Sequence, residues 1–108
     1  MNRSRIPLMA VRAFEATARH LSVTQAAVEL CVTAGAISQQ VKQLEDTVGV
    51  ALLQRKGRNI ELTDAGLVLR PQLTQALDIM SIALDSIALT RDRKTLKLTL
   101  LPTLTEKW

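Results

Sequence analysis

Ser38, Gln39 and Lys42 are the residues whose types and spacing best suit hydrogen bonding to a nucleic acid. They share the outward face of a predicted helix with Ala34 and Gly35, whose small side chains let a helix end sink into a groove. Ser and Gln can hydrogen-bond base edges, and Lys can neutralise a phosphate. This composition predicts a helix that reads the major groove of double-stranded DNA.

Two short helices joined by a tight corner are predicted over residues 23–45 and would position those side chains. Cys31 and Val32 form the corner, and Thr33 is a hydroxyl N-cap for the second helix. Apolar residues recur at helical spacing on both sides of the corner, at Ala26, Ala27 and Leu30 and then at Ala36, Ile37, Val41 and Leu44. This pattern is that of a helix-turn-helix.

Charge and aromatic content restrict the kind of ligand. The chain has 108 residues and a net charge of +4, and residues 1–60 carry eight Lys and Arg against four Asp and Glu. A solvated basic face would explain this excess, but its coincidence with the helix-turn-helix favours a phosphate-binding surface. Phe14 and Trp108 are the only aromatic residues, which argues against modules that stack bases on aromatic side chains.

Few residues suit catalysis, metal binding or export. The sequence has no Ser/His/Asp arrangement, no Gly-rich phosphate loop and no ligand partner at metal spacing from His20, so we expect no enzyme, cofactor or metal. The single cysteine, Cys31, excludes an internal disulfide and fits a reducing cytosol. We expect the Cys31 thiol to pack as a small apolar side chain, with a redox switch as the alternative. No signal peptide is visible and charges interrupt the longest apolar pattern, so we expect a cytoplasmic protein without a membrane span.

A further helix is predicted from Pro7 to Arg19, because proline suits the first turn of a helix. Its buried stripe is predicted at Met9, Val11, Ala13, Phe14 and Ala18, with Arg12, Glu15 and Arg19 outside. Ser22 is the predicted N-cap of the next helix, with Gln25 at capping-box spacing. Gly49 is predicted to end the last helix of the motif in the left-handed conformation.

Residues 52–62 predict a β-hairpin, since two short β-compatible arms flank a turn at residues 56–59. A small hairpin after a helix-turn-helix is a wing. Its basic residues Arg55, Lys56 and Arg58 would contact phosphates or lie in a minor groove. The alternative is a charged hairpin that only keeps a sheet edge soluble.

A long helix is predicted from the cap at Thr63–Asp64 to about Leu89. Apolar residues recur along it at steps of three or four, close to a heptad seam, namely Leu69, Leu73, Leu77, Met80, Leu84 and Ile87. Ile79, Ile82, Ala83 and Ala88 widen this stripe beyond what a small domain can cover. We therefore expect a homodimer through this helix, with coverage by its own domain as the alternative. Pro71 is expected to kink or locally open the helix.

Residues 8–89 resemble the N-terminal DNA-binding half of the LysR-type transcriptional regulators. The matching segments are LMAVRAFEATARHLSVTQAAVEL, VTAGAISQQVKQLE, the short link at Gly49–Leu53, and NIELTDAG at the start of the long helix. The opening RIPLMAVRAFEATARHLS is most similar to the glycine-cleavage activators and β-lactamase-induction regulators. The resemblance implies a mainly α fold: a winged helix-turn-helix with a small β-hairpin wing and a long C-terminal linker helix.

Family roles carry over to individual residues as implications of this resemblance. Thr33 would cap the recognition helix, the second helix of the motif, and touch a phosphate. Ser38 and Gln39 would enter the groove, with Gln40 and Lys42 nearer the backbone. Arg55 and Arg58 would be the basic positions of the wing. The chain departs from the family pattern at Ala34, where many members have a polar reader, and at Leu53, which replaces a usual Phe.

The predicted organisation is a DNA-binding domain over 1–62 and a dimerisation helix over 63–90. Residues 91–108 are predicted to be the remnant of the first strand of an effector-binding domain, with the strand itself at 95–101. We expect the rest of that domain to be absent, together with its small-molecule effector. The predicted function is a bacterial DNA-binding transcriptional regulator that reads an interrupted palindrome in a promoter or operator as a dimer. The alternative is a truncated paralogue, a protein-interaction module that pairs with a full-length regulator through the linker helix.

Overall fold

The structure, a computed structural model, describes residues 1–92. A short 3₁₀ helix, η1 (Arg3–Arg5), precedes α1 (Leu8–His20), α2 (Val23–Leu30), α3 (Ala34–Val48), β1 (Leu53–Lys56), β2 (Asn59–Leu62) and α4 (Asp64–Asp92). The predicted fold class is confirmed: the chain is mainly α, with a winged helix-turn-helix and a long C-terminal helix. The strand expected at residues 95–101 lies outside the described residues, and so does most of the segment 91–108.

The described residues divide into two compact units, Met1–Gln75 and a second that begins at Ala76. The core of the first unit lies where α1 packs against α2 and α3, and its largest fully buried side chains are Phe14, Ile37, Leu52 and Thr17. Alanines fill much of the remaining core, with Ala10, Ala13, Ala16 and Ala26 all at most 1% exposed. Because alanine side chains are short, the helices can pack closely around Phe14, the one aromatic residue of the first unit.

Two expectations for α1 are wrong. Met9 was expected in the buried stripe but is 47% exposed, whereas Glu15 was expected outside and is only 5% exposed. Glu15 is buried because it has charged and hydroxyl partners: Arg19 on the same helix and Thr74 on α4 both donate hydrogen bonds to its carboxylate. A paired carboxylate can be buried where an isolated one cannot.

Side-chain caps define the helix-turn-helix. Ser22 Oγ accepts the backbone N–H of Gln25 at 3.1 Å, and Thr33 Oγ1 accepts that of Ala36 at 3.1 Å. Gly49 ends α3 with a φ of 80°, as predicted. Leu21 and Cys31 end α1 and α2 in the same left-handed region without being glycine. The Cys31 thiol is exposed, so the packing role proposed for it is wrong.

The wing is a two-stranded antiparallel hairpin with Leu53 opposite Leu62 and Lys56 opposite Asn59. Gly57 and Arg58 form its two-residue turn, and Gly57 has the positive φ, 65°, that such tight turns require. Gln54 donates a cross-strand hydrogen bond to Glu61 at 2.9 Å. The predicted wing is therefore present. Its turn comprises residues 57–58 rather than the expected 56–59.

Helix α4 begins at Asp64 after Thr63, whose hydroxyl accepts the backbone N–H of Gly66 at 3.2 Å. The helix continues through Pro71, so the local opening expected there is not seen. The helix over Asp64–Thr90 is long and apolar enough to cross a membrane by length and composition alone, and its most apolar stretch has a mean hydropathy of 1.2. Asp78 and Asp85 interrupt this apolar stretch, as the sequence analysis expects.

Gly66 lies where α4 meets the start of the wing. A Cβ at this position would overlap the backbone oxygen of Leu52 and come within 3.2 Å of Leu62 Cδ2. Gly35 on α3 has no such neighbour within 4 Å.

We expect Gly66→Ala to lower the free energy of unfolding by about 1–3 kcal/mol, because the clash is with backbone that cannot move aside cheaply. Gly35→Ala is the matched control and should leave it unchanged or raise it slightly, since alanine favours helix. Urea unfolding followed by circular dichroism measures both. Equal stability of the two variants would contradict the tight junction.

Candidate nucleic-acid interface

The leading face of α3 is exposed and free of bulky side chains. Ala34, Gly35, Ser38, Gln39 and Lys42 are all exposed, while Ile37, Val41 and Leu44 hold the opposite face in the core. Gln40 is half-buried at the edge of the exposed face. The Thr33 cap fixes where the helix begins, so the small residues occupy its first turn. The arrangement offers hydrogen-bonding groups on a narrow helix end.

The wing lies beside this face. Ser38, Lys42 and Glu45 of α3 line a surface pocket of about 210 Å³ together with Gln54 and Arg55 of β1. The three basic wing residues Arg55, Lys56 and Arg58 are exposed. Arg55 therefore shares a surface with Ser38 and Lys42 on one flank of the exposed face of α3, and Lys56 and Arg58 lie further along the same hairpin.

Glu45 joins the recognition helix to the wing, a role that sequence analysis missed. Its carboxylate accepts the backbone N–H groups of Leu52 at 2.8 Å and Leu53 at 3.2 Å. These are the residues at which the chain enters β1. Two charge-assisted hydrogen bonds to backbone fix the position of the strand more firmly than side-chain packing alone. No local sequence pattern predicts this contact, because Leu52 and Leu53 lie seven and eight residues after Glu45.

A polar cluster joins α1 to α2 and to the start of α4. Arg19 donates to both oxygens of Glu15, at 2.9 and 2.8 Å, and to both oxygens of Glu29, at 2.9 and 2.7 Å. His20 lies 2.7 Å from Glu29, and Thr74 donates to Glu15 at 2.8 Å. The cluster therefore fixes the positions of α2 and of the α4 segment around Thr74, the base of α4, relative to α1.

These contacts shift the acidity of both carboxyl groups. Hydrogen bonds from Arg19, followed by His20, lower the pKa of Glu29 from 4.5 to about 2. The same arginine lowers the pKa of Glu15, although burial acts in the opposite direction and Thr74 assists. The two carboxylates in turn raise the pKa of Arg19. The side chains of Glu15, Arg19 and Glu29 are therefore ionised in the folded protein near neutral pH.

The residues predicted to mediate dimerisation follow one face of α4. Leu69, Leu73 and Leu77 are half-buried, whereas Met80, Leu84 and Ile87 are 42, 72 and 59% exposed. Ile79, Ile82 and Leu89 add further exposed apolar surface in the same half of the helix. The dimer seam along these six residues stays a prediction.

Residues 1–92 contain no group of three or more His, Cys, Asp or Glu side chains that could hold a metal ion. The surface pocket described above is lined by the apolar side chains of Val23, Val41, Leu53 and Ile60 and by the polar or charged ones of Ser38, Lys42, Glu45, Gln54 and Arg55. The geometry suits hydrogen bonding to an extended anionic polymer.

Fold and surface together define a winged helix-turn-helix domain followed by a long, apolar helix. The model of the bacterial regulatory helix-turn-helix proteins of the lysR family matches residues 8–67. The chain therefore belongs to the LysR family, and the predicted resemblance is confirmed.

Two relatives illustrate the subgroup. The carbapenem-hydrolyzing beta-lactamase transcriptional activator of Enterobacter cloacae is 44% identical over 106 residues, covering 98% of this chain and 36% of that protein. The transcriptional activator AmpR of Pseudomonas aeruginosa is 55% identical over 78 residues, covering 72% of this chain and 26% of that protein. The chain thus spans about a quarter to a third of the length of these relatives, which are transcriptional regulators.

Solved structures of similar fold include two DNA-binding domains in complex with DNA. The BenM domain bound to catB site 1 DNA has a TM-score of 0.70 at 26% identity, covering 77% of this chain and 92% of that one. The CbnR domain bound to DNA has a TM-score of 0.64 at 32% identity, covering 71% and 88%.

The polar cluster predicts a loss of stability in acid. Because the pKa of Glu29 is lower in the folded than in the unfolded chain, its contribution is complete above the unfolded value and is lost as the pH falls toward the folded value. We expect the free energy of unfolding to fall between about pH 5 and pH 2, and Glu29→Gln to flatten this dependence.

Urea unfolding at a series of pH values measures the effect. Asp46→Asn is the matched control, because Asp46 is exposed and makes no ion pair with the described residues. An unchanged pH profile in Glu29→Gln would show that the cluster does not couple protonation to folding.

Proposed function

We propose that this chain is the DNA-binding part of a bacterial transcriptional regulator and places α3 in the major groove of double-stranded DNA. The observation that carries the proposal is the exposed face of α3, with Ala34, Gly35, Ser38 and Gln39 on its first two turns. A helix whose leading end lacks bulky side chains can enter a groove about 12 Å wide. The DNA complexes of BenM and CbnR support the proposal through their similarity to this domain.

Separate groups would supply affinity and selectivity. Lys42 and the wing residues Arg55, Lys56 and Arg58 would neutralise phosphates, as would the backbone at the Thr33 cap. Gln39 would read the N6 and N7 edge of adenine, and Ser38 would accept several bases. Gln40 lies at the rim, nearer the DNA backbone. We therefore expect A-rich half-sites with modest discrimination.

We further propose that the chain acts as a homodimer through α4. Asp78 and Asp85 are seven residues apart and therefore lie on one face, with Ser81 between them. Leu77, Met80 and Leu84 lie about 100–160° around the helix from Asp78, whereas Ile82 and Leu89 lie within about 40° of it. Two exposed aspartates in the middle of an apolar helix suit a membrane span poorly, and a second copy of the helix would cover the exposed Met80, Leu84 and Ile87. A dimer would present two copies of α3 to an interrupted palindrome.

A protein that serves only to sequester a full-length regulator would need α4 but not the cation-bordered face of α3. The similarity of the domain to DNA-bound relatives therefore favours a DNA-binding regulator over that module. Both relatives are named as transcriptional activators, and the name of the Enterobacter cloacae protein refers to a carbapenem-hydrolyzing beta-lactamase. A cytoplasmic location follows from the same proposal, because the DNA of a bacterium lies there.

We expect Gln39→Ala to weaken binding to a duplex with A-rich half-sites by about 1–3 kcal/mol and to change binding to random-sequence DNA little. The reason is that Gln39 would contact bases, whereas non-specific binding rests on phosphates. Gln43→Ala is the matched control, since Gln43 is exposed one turn further along α3. Fluorescence anisotropy measures the affinities of the unaltered protein and of both variants for the two duplexes. Equal losses on both duplexes would remove Gln39 from base readout.

We expect Leu84→Glu to convert the dimer to a monomer, since it would place charge in the apolar seam. Ser86→Glu is the matched control: it adds the same charge at an exposed position about 160° around the helix from Leu84. Sedimentation velocity gives the mass of each variant. A Leu84→Glu protein that stays dimeric would place the interface elsewhere.

A further inference from the structure

The first turn of the chain is a second exposed basic segment, separate from the wing. Arg3 and Arg5 belong to η1 and are both exposed. Asn2 caps the turn, accepting the backbone N–H of Ser4 at 3.2 Å on its side chain and that of Arg5 at 2.9 Å on its carbonyl. Ile6 closes it with a hydrogen bond to Arg3 at 3.2 Å. The two arginines are thus presented by an ordered turn.

This turn lies beside α3. Met1, Asn2 and Arg5 line a surface pocket together with Thr47. Nine residues separate Thr47 from Ser38, which at 3.6 residues per turn is about two and a half turns. Thr47 therefore lies on the flank of α3 opposite Ser38, while Ser38, Lys42 and Glu45 line the flank that faces the wing. The exposed face of α3 has cations on both sides.

The charges near this face are largely free to meet an external anion. Among residues 1–90, Arg19 is the one Lys or Arg that forms an ion pair, so Arg3 and Arg5 have no carboxylate partner within that range. Asp46 is an exposed acidic residue on α3 near its C-terminal end, and it would disfavour close approach of phosphates at that point. A phosphate contact near Thr47 therefore requires cations from outside α3.

We propose that Arg3 and Arg5 form a second phosphate-binding site, which contacts the DNA backbone on the side of the major groove opposite the wing. The inference rests on the proposed function. A helix with its side chains is about 10–12 Å across, close to the width of the major groove. Cations on both flanks of α3 would therefore meet the two phosphate strands that border the groove. The ligand is the phosphodiester backbone, read without regard to sequence.

The test is the salt dependence of binding to a random-sequence duplex. The double variant Arg3→Gln, Arg5→Gln should lower the slope of log Kd against log salt concentration by about 1.8, because each phosphate contact contributes about 0.9. The same variant should lose affinity equally for A-rich and random duplexes. Thermal unfolding verifies that the fold is retained.

Arg12→Gln is the matched control, because Arg12 is exposed on α1 and its guanidinium lies 3.5 Å from Met9 Sδ. For Arg12→Gln, the slope of log Kd against log salt concentration should change, per charge removed, by less than half as much as it does in the double variant. An unchanged slope in the double variant, or an equal change per charge in the control, would overturn the second site alone. Failure of the unaltered protein to bind any duplex would overturn the proposed function, and this inference with it.

Discussion

The junction at Leu52 is the contact on which the geometry of the DNA-binding surface depends. Leu52 is buried, its N–H donates to Glu45 of α3, and its carbonyl accepts the N–H of Thr63 at 3.0 Å. Thr63 Oγ1 also donates to the carbonyl of Ala51 at 2.7 Å, and Gly66 packs directly on Leu52. The backbone segment at Ala51 and Leu52 therefore joins the recognition helix α3, the wing and the start of α4.

This junction explains how a small domain with few aromatic residues can hold a rigid surface. The helical core is made largely of alanine, so its apolar burial is modest, and directional hydrogen bonds set the relative positions of the elements. Glu45 positions the wing, and the Glu15–Arg19–Glu29 cluster positions α2 and the base of α4. None of these contacts involves the small and polar side chains on the exposed face of α3.

Local patterns in the sequence predicted much of this fold. The caps at Ser22 and Thr33, the glycines at 49 and 57, and the apolar period of α3 each depend on residues a few positions apart. The burial of Glu15 could not be predicted, because one of its partners, Thr74, lies 59 residues away. The left-handed Leu21 and Cys31 carry no glycine signal, and η1 is too short to show periodicity. Sequence patterns also gave no indication that the first turn lies beside Thr47.

The central claim is that a dimer of this domain reads sequence with α3 in the major groove. Selection of a random duplex library on the purified protein at near-physiological salt, followed by sequencing of the bound fraction, tests it most directly. The account predicts enrichment of an interrupted palindrome, whose spacing would give the separation of the two α3 helices. Retention of DNA without any enriched sequence would contradict readout by α3, and no retention at all would contradict DNA binding itself.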